Sequence, residues 1–243
     1  MKALSISPRW LRSGHPIVRR YVRQPMPAYL QALLFAMMIS VFLMLGGLSI
    51  PVLYCLFSLA VLVQVAVSSA NKVYQARRSS TWDLVRIAPF SSRELLLSLW
   101  TASVRQLSRT WFMMVYRLLH AMTIIGVIVY TLLFTNTHPQ QALLILLTGT
   151  AMIVVQPFAE MFFCGMVGLA GANRLRDQHN GQGFVVGVVV LYWLGYVGGV
   201  LALLMAQQMN LSGEQLVAIF VTPLILPALF GSVALRIAET ALR

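Results

Sequence analysis

The chain has 243 residues, of which 59% are hydrophobic and only 10% are charged, and its formal net charge is +12. A water-soluble domain carries roughly 25% charged residues, so this composition argues against a soluble protein. The basic excess does not indicate nucleic-acid binding either, because the 18 Lys and Arg residues flank long apolar segments. The sequence therefore predicts an all-α membrane protein with no nucleic-acid partner.

The basic residues are confined to alternate connections between the apolar segments. They lie before residue 29, within 72–117, at 174–176 and at 236–243. Because Lys and Arg accumulate in cytoplasmic connections, this pattern predicts six membrane spans with both termini in the cytoplasm. We expect a multi-pass protein of the cytoplasmic (inner) membrane, whose basic residues meet anionic lipids.

Residues 1–28 form the basic segment that precedes the first span. Ile17, Val18, Tyr21 and Val22 recur at the spacing of one helical face, and the arginines between them fall mostly on the other. This pattern predicts an N-terminal amphipathic helix that lies in the membrane interface. A disordered basic tail is the alternative interpretation.

Residues 29–243 are predicted to form a single transmembrane domain. A segment of about 20 apolar residues is long enough to cross a bilayer. Six such spans are predicted at about 29–48, 52–70, 111–134, 142–170, 184–205 and 216–235. Pro157 lies inside the fourth span and predicts a kink or a break there.

The cytoplasmic loop 71–110 is the longest hydrophilic connection, and the sequence predicts two short helices in it. Ser80 and Asp83 have the spacing of an N-terminal cap for the first helix. Ser91 and Glu94 form an S-x-x-E capping box for the second helix. We expect the second helix to lie along the membrane surface on its apolar face and to lead into span three.

This loop resembles the one between spans two and three of ABC-2-type transporter permeases. Its residues 80–94 read Ser-Thr-Trp-Asp-Leu-Val-Arg-Ile-Ala-Pro-Phe-Ser-Ser-Arg-Glu. Members of that family typically carry Gly-Thr-(Leu/Trp)-(Glu/Asp), followed by Thr-Pro-(Leu/Val)-Ser-x-Arg-Glu. Residues 15–20, His-Pro-Ile-Val-Arg-Arg, are similar to the Asn-Pro-Val-x-x-Arg element found before span one in some members. The predicted topology also matches that of the family.

The resemblance implies a binding surface and a function. In that family the short helix after span two is a coupling helix that docks into a separate ATP-binding subunit. Carried over to this chain, the docking residues are Trp82, Asp83, Leu84, Val85 and Arg86. The implied function is that of the permease subunit of an ATP-driven exporter, working with an ATPase and with a second membrane subunit in a homodimer or heterodimer.

The chain itself carries no ATP-binding motif. A P-loop requires Gly-x-x-x-x-Gly-Lys-(Ser/Thr), and the only lysines, Lys2 and Lys72, follow no glycine-rich loop. We therefore expect no enzymatic activity and no cofactor, with ATP hydrolysis carried out by a partner. Two alternatives stay open: Trp82 anchors the loop in the headgroups, or the chain is a non-transporting subunit that scaffolds a larger membrane complex.

One carboxylate stands inside an apolar span. Glu160 lies in span four beside Gln156, and Arg117 and His120 of span three lie at a comparable depth. Ionisable residues are rare within membranes and usually face protein or water. We predict that Glu160 pairs with Arg117 or His120. Such a pair locks two spans together or belongs to a substrate or proton pathway; a membrane enzyme using Glu160 and His120 is a further alternative.

Span five carries Gly187, Gly195 and Gly199 at multiples of four. Small residues at this spacing let membrane helices approach closely, so they predict helix packing, either within the chain or in a dimer. The two cysteines, Cys55 and Cys164, fall in different spans and form no metal or redox motif. No metal site is predicted.

Overall fold

The computed structural model describes residues 36, 49–78, 91–134, 139–175, 177–206 and 213–242. Within these ranges all regular secondary structure is helical, which confirms the predicted all-α class for this part of the chain. The helices are α1 Ser49–Arg78, α2 Ser92–Ser108, α3 Trp111–Phe134, α4 Pro139–Arg174, α5 Gln178–Ala206 and α6 Gly213–Thr240. The predicted interfacial helix within 1–28, span one and the docking residues 82–86 lie outside the described residues.

Three of the described helices are long and apolar enough to cross a membrane. The apolar stretches are Val52–Arg78 in α1, Val154–Arg174 in α4 and Gln178–Gly199 in α5. In α3 the described apolar stretch, Trp111–Gly126, is shorter. A helical protein with membrane-spanning helices is thus supported, while the count of six spans and their orientation stay predictions.

Several helices extend beyond the predicted spans at their polar ends. α1 continues to Arg78 instead of ending near residue 70, and α5 begins at Gln178 instead of near 184. Arg77 and Arg78 in the last turn favour the extension of α1, because they interact with the negative end of the helix dipole. α4 is continuous across Pro157, so no break occurs there. Neighbouring helices make an internal proline tolerable in a membrane span.

α1 and α4 form the centre of the described bundle. Val61, Val65 and Ala66 of α1 are almost fully buried, and nearly every residue of α4 from 161 to 173 is buried as well. At Gly168 the two helices touch backbone to backbone, since a Cβ there would collide with the carbonyl oxygen of Ala66. The remaining helices pack around this pair.

α2 begins as predicted but is packed differently from the expected surface helix. Ser91 is its N-cap, with the Ser91 Oγ accepting a hydrogen bond of 3.1 Å from the Glu94 backbone N–H. α2 contacts α1, α4 and α6. Its buried side chains cover about two thirds of the helix circumference, at 100° per residue. They are Leu95, Leu96, Ser98, Leu99, Thr101, Ala102, Ser103 and Leu107. The helix is therefore part of the bundle.

Candidate functional site

Glu160 lies at the centre of a buried polar cluster and is only 4% exposed. Its Oε1 accepts one hydrogen bond of 2.9 Å from the Gln156 side-chain amide and another of 3.2 Å from the Tyr192 hydroxyl of α5. The Gln156 Oε1 accepts a hydrogen bond of 3.2 Å from the Tyr196 hydroxyl. These four side chains therefore link α4 to α5 by hydrogen bonds, beside the packing of the Tyr192 ring on Phe163.

A second group of polar rings lies on α1 and α3. The Tyr54 hydroxyl and the His120 Nδ1 form a hydrogen bond of 3.1 Å. The Tyr54 ring stacks on Tyr116 at a centroid distance of 5.8 Å, and the His120 ring stacks against both. α4, which carries Glu160, packs against both α1 and α3. The two groups thus form one cluster that spans four helices.

The cluster has a simple origin in the sequence. Each of the four helices contributes two polar residues that are separated by four positions. This spacing places both members on the same helix face, one above the other. The pairs are Tyr54 and Ser58 on α1, Tyr116 and His120 on α3, Gln156 and Glu160 on α4, and Tyr192 and Tyr196 on α5.

The described contacts of Glu160 include only one of the polar residues predicted around it. Gln156 contacts Glu160 and His120 belongs to the cluster, but the described hydrogen bonds of Glu160 reach neither His120 nor Arg117. Arg117 is exposed. It follows Tyr116 in α3, and a rotation of about 100° per residue turns its side chain away from the cluster. Among the described contacts, hydroxyl and amide groups surround the carboxyl where a cation was expected, and the ion pair stays a prediction.

The tyrosines of the cluster were not among the predicted site residues. A single tyrosine in an apolar span is commonly a packing or interface residue. The signal that identifies them is the repeated i, i+4 pairing of polar side chains on several spans, which is visible only when the spans are compared.

The cluster has the chemistry of a proton or polar-ligand site. Both hydrogen bonds to the Glu160 carboxyl end on Oε1, and within the described residues none is formed by Oε2. Glu160 is about 20 Å from the Arg174 end of α4, at 1.5 Å per residue. An ionised carboxylate at the bilayer centre costs about 2.5–3.5 kcal/mol. The second carboxyl oxygen of Glu160 is therefore placed to bind a ligand or to exchange a proton.

Trp100 connects α2 directly to this cluster. Its indole Nε1 donates a hydrogen bond of 3.0 Å to the backbone carbonyl of Met161, the residue after Glu160. Its ring also lies on Gly165, where any Cβ would collide with it, and stacks edge-on against Phe162. A displacement of α2 would therefore be transmitted to the turn of α4 that carries Glu160.

The polar ends of α1, α4 and α5 are joined by a separate set of hydrogen bonds. Arg77 donates to the carbonyls of Ala172, at 2.8 Å, and Asn173, at 3.2 Å. The Tyr74 hydroxyl donates to the carbonyl of Leu175 at 3.0 Å. These carbonyls lie at the C-terminal end of α4, where backbone carbonyls have no hydrogen-bond partner within the helix. The contacts bring the basic end of α1 and the basic end of α4 together at one end of the bundle. The sequence predicts both ends on the same membrane face.

Further side-chain hydrogen bonds near this end join α1 to α5 and to α2. The Asn71 Oδ1 accepts hydrogen bonds from the side-chain amides of Gln178 and Gln182 at the start of α5. Lys72, only 2% exposed, donates to the Gln106 Oε1 of α2 at 2.7 Å. These residues join α1 to α2 and α5, and their sequence pattern did not predict the contacts.

The predicted packing glycines do not make close contacts with the described residues. A Cβ added at Gly187, Gly195 or Gly199 would meet no atom within 4 Å. The close approaches occur instead on α4, where Gly165 and Gly168 lie against Trp100 and the α1 backbone. A dimer contact at the α5 glycines stays a prediction.

No metal site is present in the described part of the chain. Its His, Cys, Asp and Glu residues form no group of three or more that could hold a metal ion. Cys55 and Cys164 are both free thiols. The candidate site therefore consists of the polar cluster around Glu160.

Comparison with known proteins adds no family to these observations. No family model, curated protein or solved structure matches the chain.

Proposed function

We propose that this chain is the membrane-spanning permease subunit of an ABC-2-type exporter that works with a separate ATP-binding subunit. The resemblance of residues 80–94 to the family's coupling region supports this function. The observation that carries the proposal is the position of α2. This helix follows the docking segment in sequence, packs among α1, α4 and α6, and contacts the turn of Glu160 through Trp100.

The proposed coupling route is short. Nucleotide-driven movement of the ATPase would shift the docking residues 82–86 and, with them, the start of α2 at Ser92. Because Trp100 is bonded to the Met161 carbonyl and seated on Gly165, the shift would reach α4 within one helical turn of Glu160. Rearrangement of packed helices is a common way for such displacements to change a distant site.

The polar cluster would then serve transport. A ligand entering between α4 and α5 would exchange hydrogen bonds with Glu160 and Tyr192, whose contact links the two helices. Buried polar groups in a membrane commonly mark substrate or proton pathways. We propose that the second membrane subunit completes the pathway, that the protein resides in the cytoplasmic membrane with both termini inside, and that its basic residues contact anionic lipids.

The first experiment tests the docking residues. Trp82→Ala should weaken association with the ATPase about thirtyfold, because a buried aromatic anchor commonly contributes 2 kcal/mol or more. Affinity is measured by copurification in mild detergent followed by titration of the ATPase. Trp193→Phe in α5, far from the loop in sequence, serves as the matched aromatic control and should bind normally. Equal binding by Trp82→Ala would contradict the docking assignment.

A second experiment separates coupling from docking. Trp100→Phe removes the hydrogen bond to the Met161 carbonyl but retains an aromatic ring. We expect this variant to bind the ATPase normally while ATP hydrolysis no longer responds to substrate. If the protein copurifies with a multi-subunit membrane complex that lacks any ATPase, the scaffold function replaces the exporter function.

A further inference from the structure

A cleft lies among α4, α5 and α6, at the polar end of the bundle. Its volume is about 340 Å³. Every lining side chain except one is apolar, and the exception is Arg174 in the last turn of α4. Its lining includes Val167 and Arg174 of α4, Phe184 and Val188 of α5, and Ala234 of α6.

The cleft extends along α4. From Val167 to Arg174 the helix rises about 10 Å, at 1.5 Å per residue. The apolar part therefore reaches about two turns inward from the end that carries the guanidinium. Phe184 lines the cleft near the start of α5 and is 54% exposed, so it adds apolar surface at the open side.

Arg174 carries the only charge in the lining and is available to a ligand. Its side chain is exposed, and within the described residues it forms no hydrogen bond or ion pair. The nearest acidic residue along the chain, Asp177, accepts hydrogen bonds from the backbone N–H groups of His179 and Asn180 at the start of α5. Arg77 satisfies the carbonyls at the end of α4.

We propose that this cleft binds an anionic glycerophospholipid, with one acyl chain between α4, α5 and α6 and the phosphate on Arg174. Charge complementarity selects the occupant. A soluble anion would leave the apolar walls in contact with water, and a neutral lipid would leave the guanidinium without a counter-charge. A peptide helix, about 10 Å in diameter, is too wide for a cleft of this volume. The proposal is independent of the exporter function.

The test uses the full-length protein purified in detergent. Native mass spectrometry compares binding of phosphatidylglycerol and phosphatidylcholine with identical acyl chains. We expect one tightly bound phosphatidylglycerol, and Arg174→Gln should weaken its binding about fivefold, toward the level of phosphatidylcholine. Arg93→Gln, which removes an exposed arginine from the start of α2, is the matched control and should bind like the parent protein.

A second pair of variants tests the acyl chain. Ala234→Leu should fill the cleft and reduce binding of both lipids, while Val233→Leu on the exposed side of α6 should not. If Ala234→Leu does not fold, Val188→Phe fills the same space from α5. Three results would overturn the proposal: unchanged phosphatidylglycerol binding in Arg174→Gln, unchanged binding in the filled cleft, or thermal stabilisation of the protein by inorganic phosphate alone.

Discussion

α4 and α5 are consecutive helices that both carry glycines and apolar side chains, yet they have opposite surroundings. In α4, 72% of the apolar stretch is buried, against 17% in α5. Gly168 of α4 lies against the backbone of α1, whereas a Cβ on Gly187 of α5 would meet no described atom within 4 Å. One helix is the core of the described bundle, and the other presents most of its surface outward.

The difference teaches that glycine spacing alone does not locate a close helix contact. The α5 glycines are separated by multiples of four, as in known membrane packing motifs. The α4 glycines Gly165, Gly168 and Gly171 are separated by three, yet each would place a Cβ against a neighbouring group. What distinguishes α4 is its neighbours: the α1 backbone lies against Gly168, Trp100 of α2 lies against Gly165, and Val185 of α5 lies against Gly171.

The largest loss of stability should follow from adding a side chain to the glycine at the contact between α1 and α4. Gly168→Val would force its branched Cβ into the Ala66 carbonyl oxygen, a backbone atom that cannot rotate away. We expect a loss of about 3 kcal/mol in the free energy of unfolding, typical of severe overpacking. The measurement is equilibrium unfolding in mixed detergent micelles. Gly195→Val, the same change on the exposed face of α5, is the control; an equal loss in both would remove the distinction between the helices.

The second-largest loss of stability should follow from removing the hydrogen bonds that Arg77 donates to the end of α4. Arg77→Gln removes a charged donor to the carbonyls of Ala172 and Asn173, so we expect a loss of about 2 kcal/mol. Arg77→Lys should recover only part of this, because an ammonium lacks the planar fork of a guanidinium. Arg78→Gln, at the exposed neighbouring position, should cost only about 0.5 kcal/mol, because it loses the interaction with the helix dipole and no hydrogen bond to α4. A similar loss in both glutamine variants would point to general charge instead of these hydrogen bonds.

The third effect concerns the polar link between α4 and α5. In a double-mutant cycle, Glu160→Leu and Tyr192→Phe should show a coupling energy of about 1 kcal/mol, since they remove the same hydrogen bond. Glu160→Leu combined with Arg117→Gln should be additive, because Arg117 is exposed and does not contact the carboxyl. Coupling with Arg117 and none with Tyr192 would restore the ion pair predicted from the sequence.

The sequence was sufficient to locate the helices of the described region, but not to predict which side chains of different helices lie beside one another. Hydrophobic segments, a capping box at Ser91 and polar breaks located the helices of the described region, because these signals are local. The sequence also identified Glu160 and Gln156, since polar residues stand out in an apolar span. It did not identify Tyr192 or Tyr54 as their companions. Tyrosine is ordinary in such a span until a neighbouring helix places it beside a carboxyl.

The absence of a described contact between Glu160 and Arg117 has the same cause. Depth along a span can be counted from the sequence, and Arg117 does lie in α3 near His120. The direction of a side chain around the helix depends on which face meets the bundle, and that is decided by tertiary packing. Arg117 and Tyr116 are adjacent in sequence, yet Tyr116 is 3% exposed and Arg117 is exposed.

The smallest change in stability should come from a substitution on the glycine face of α5. Gly187→Ala adds a methyl group that meets no described atom within 4 Å and improves helix propensity. We expect the unfolding free energy of the isolated protein to rise by about 0.5 kcal/mol. Unfolding in detergent and crosslinking in the native membrane should be measured on the same variant. If the methyl group instead lowers stability or abolishes a crosslinked dimer, the α5 glycines form a close contact in the assembled protein. The contrast between α4 and α5 would then describe only the contacts among the described residues.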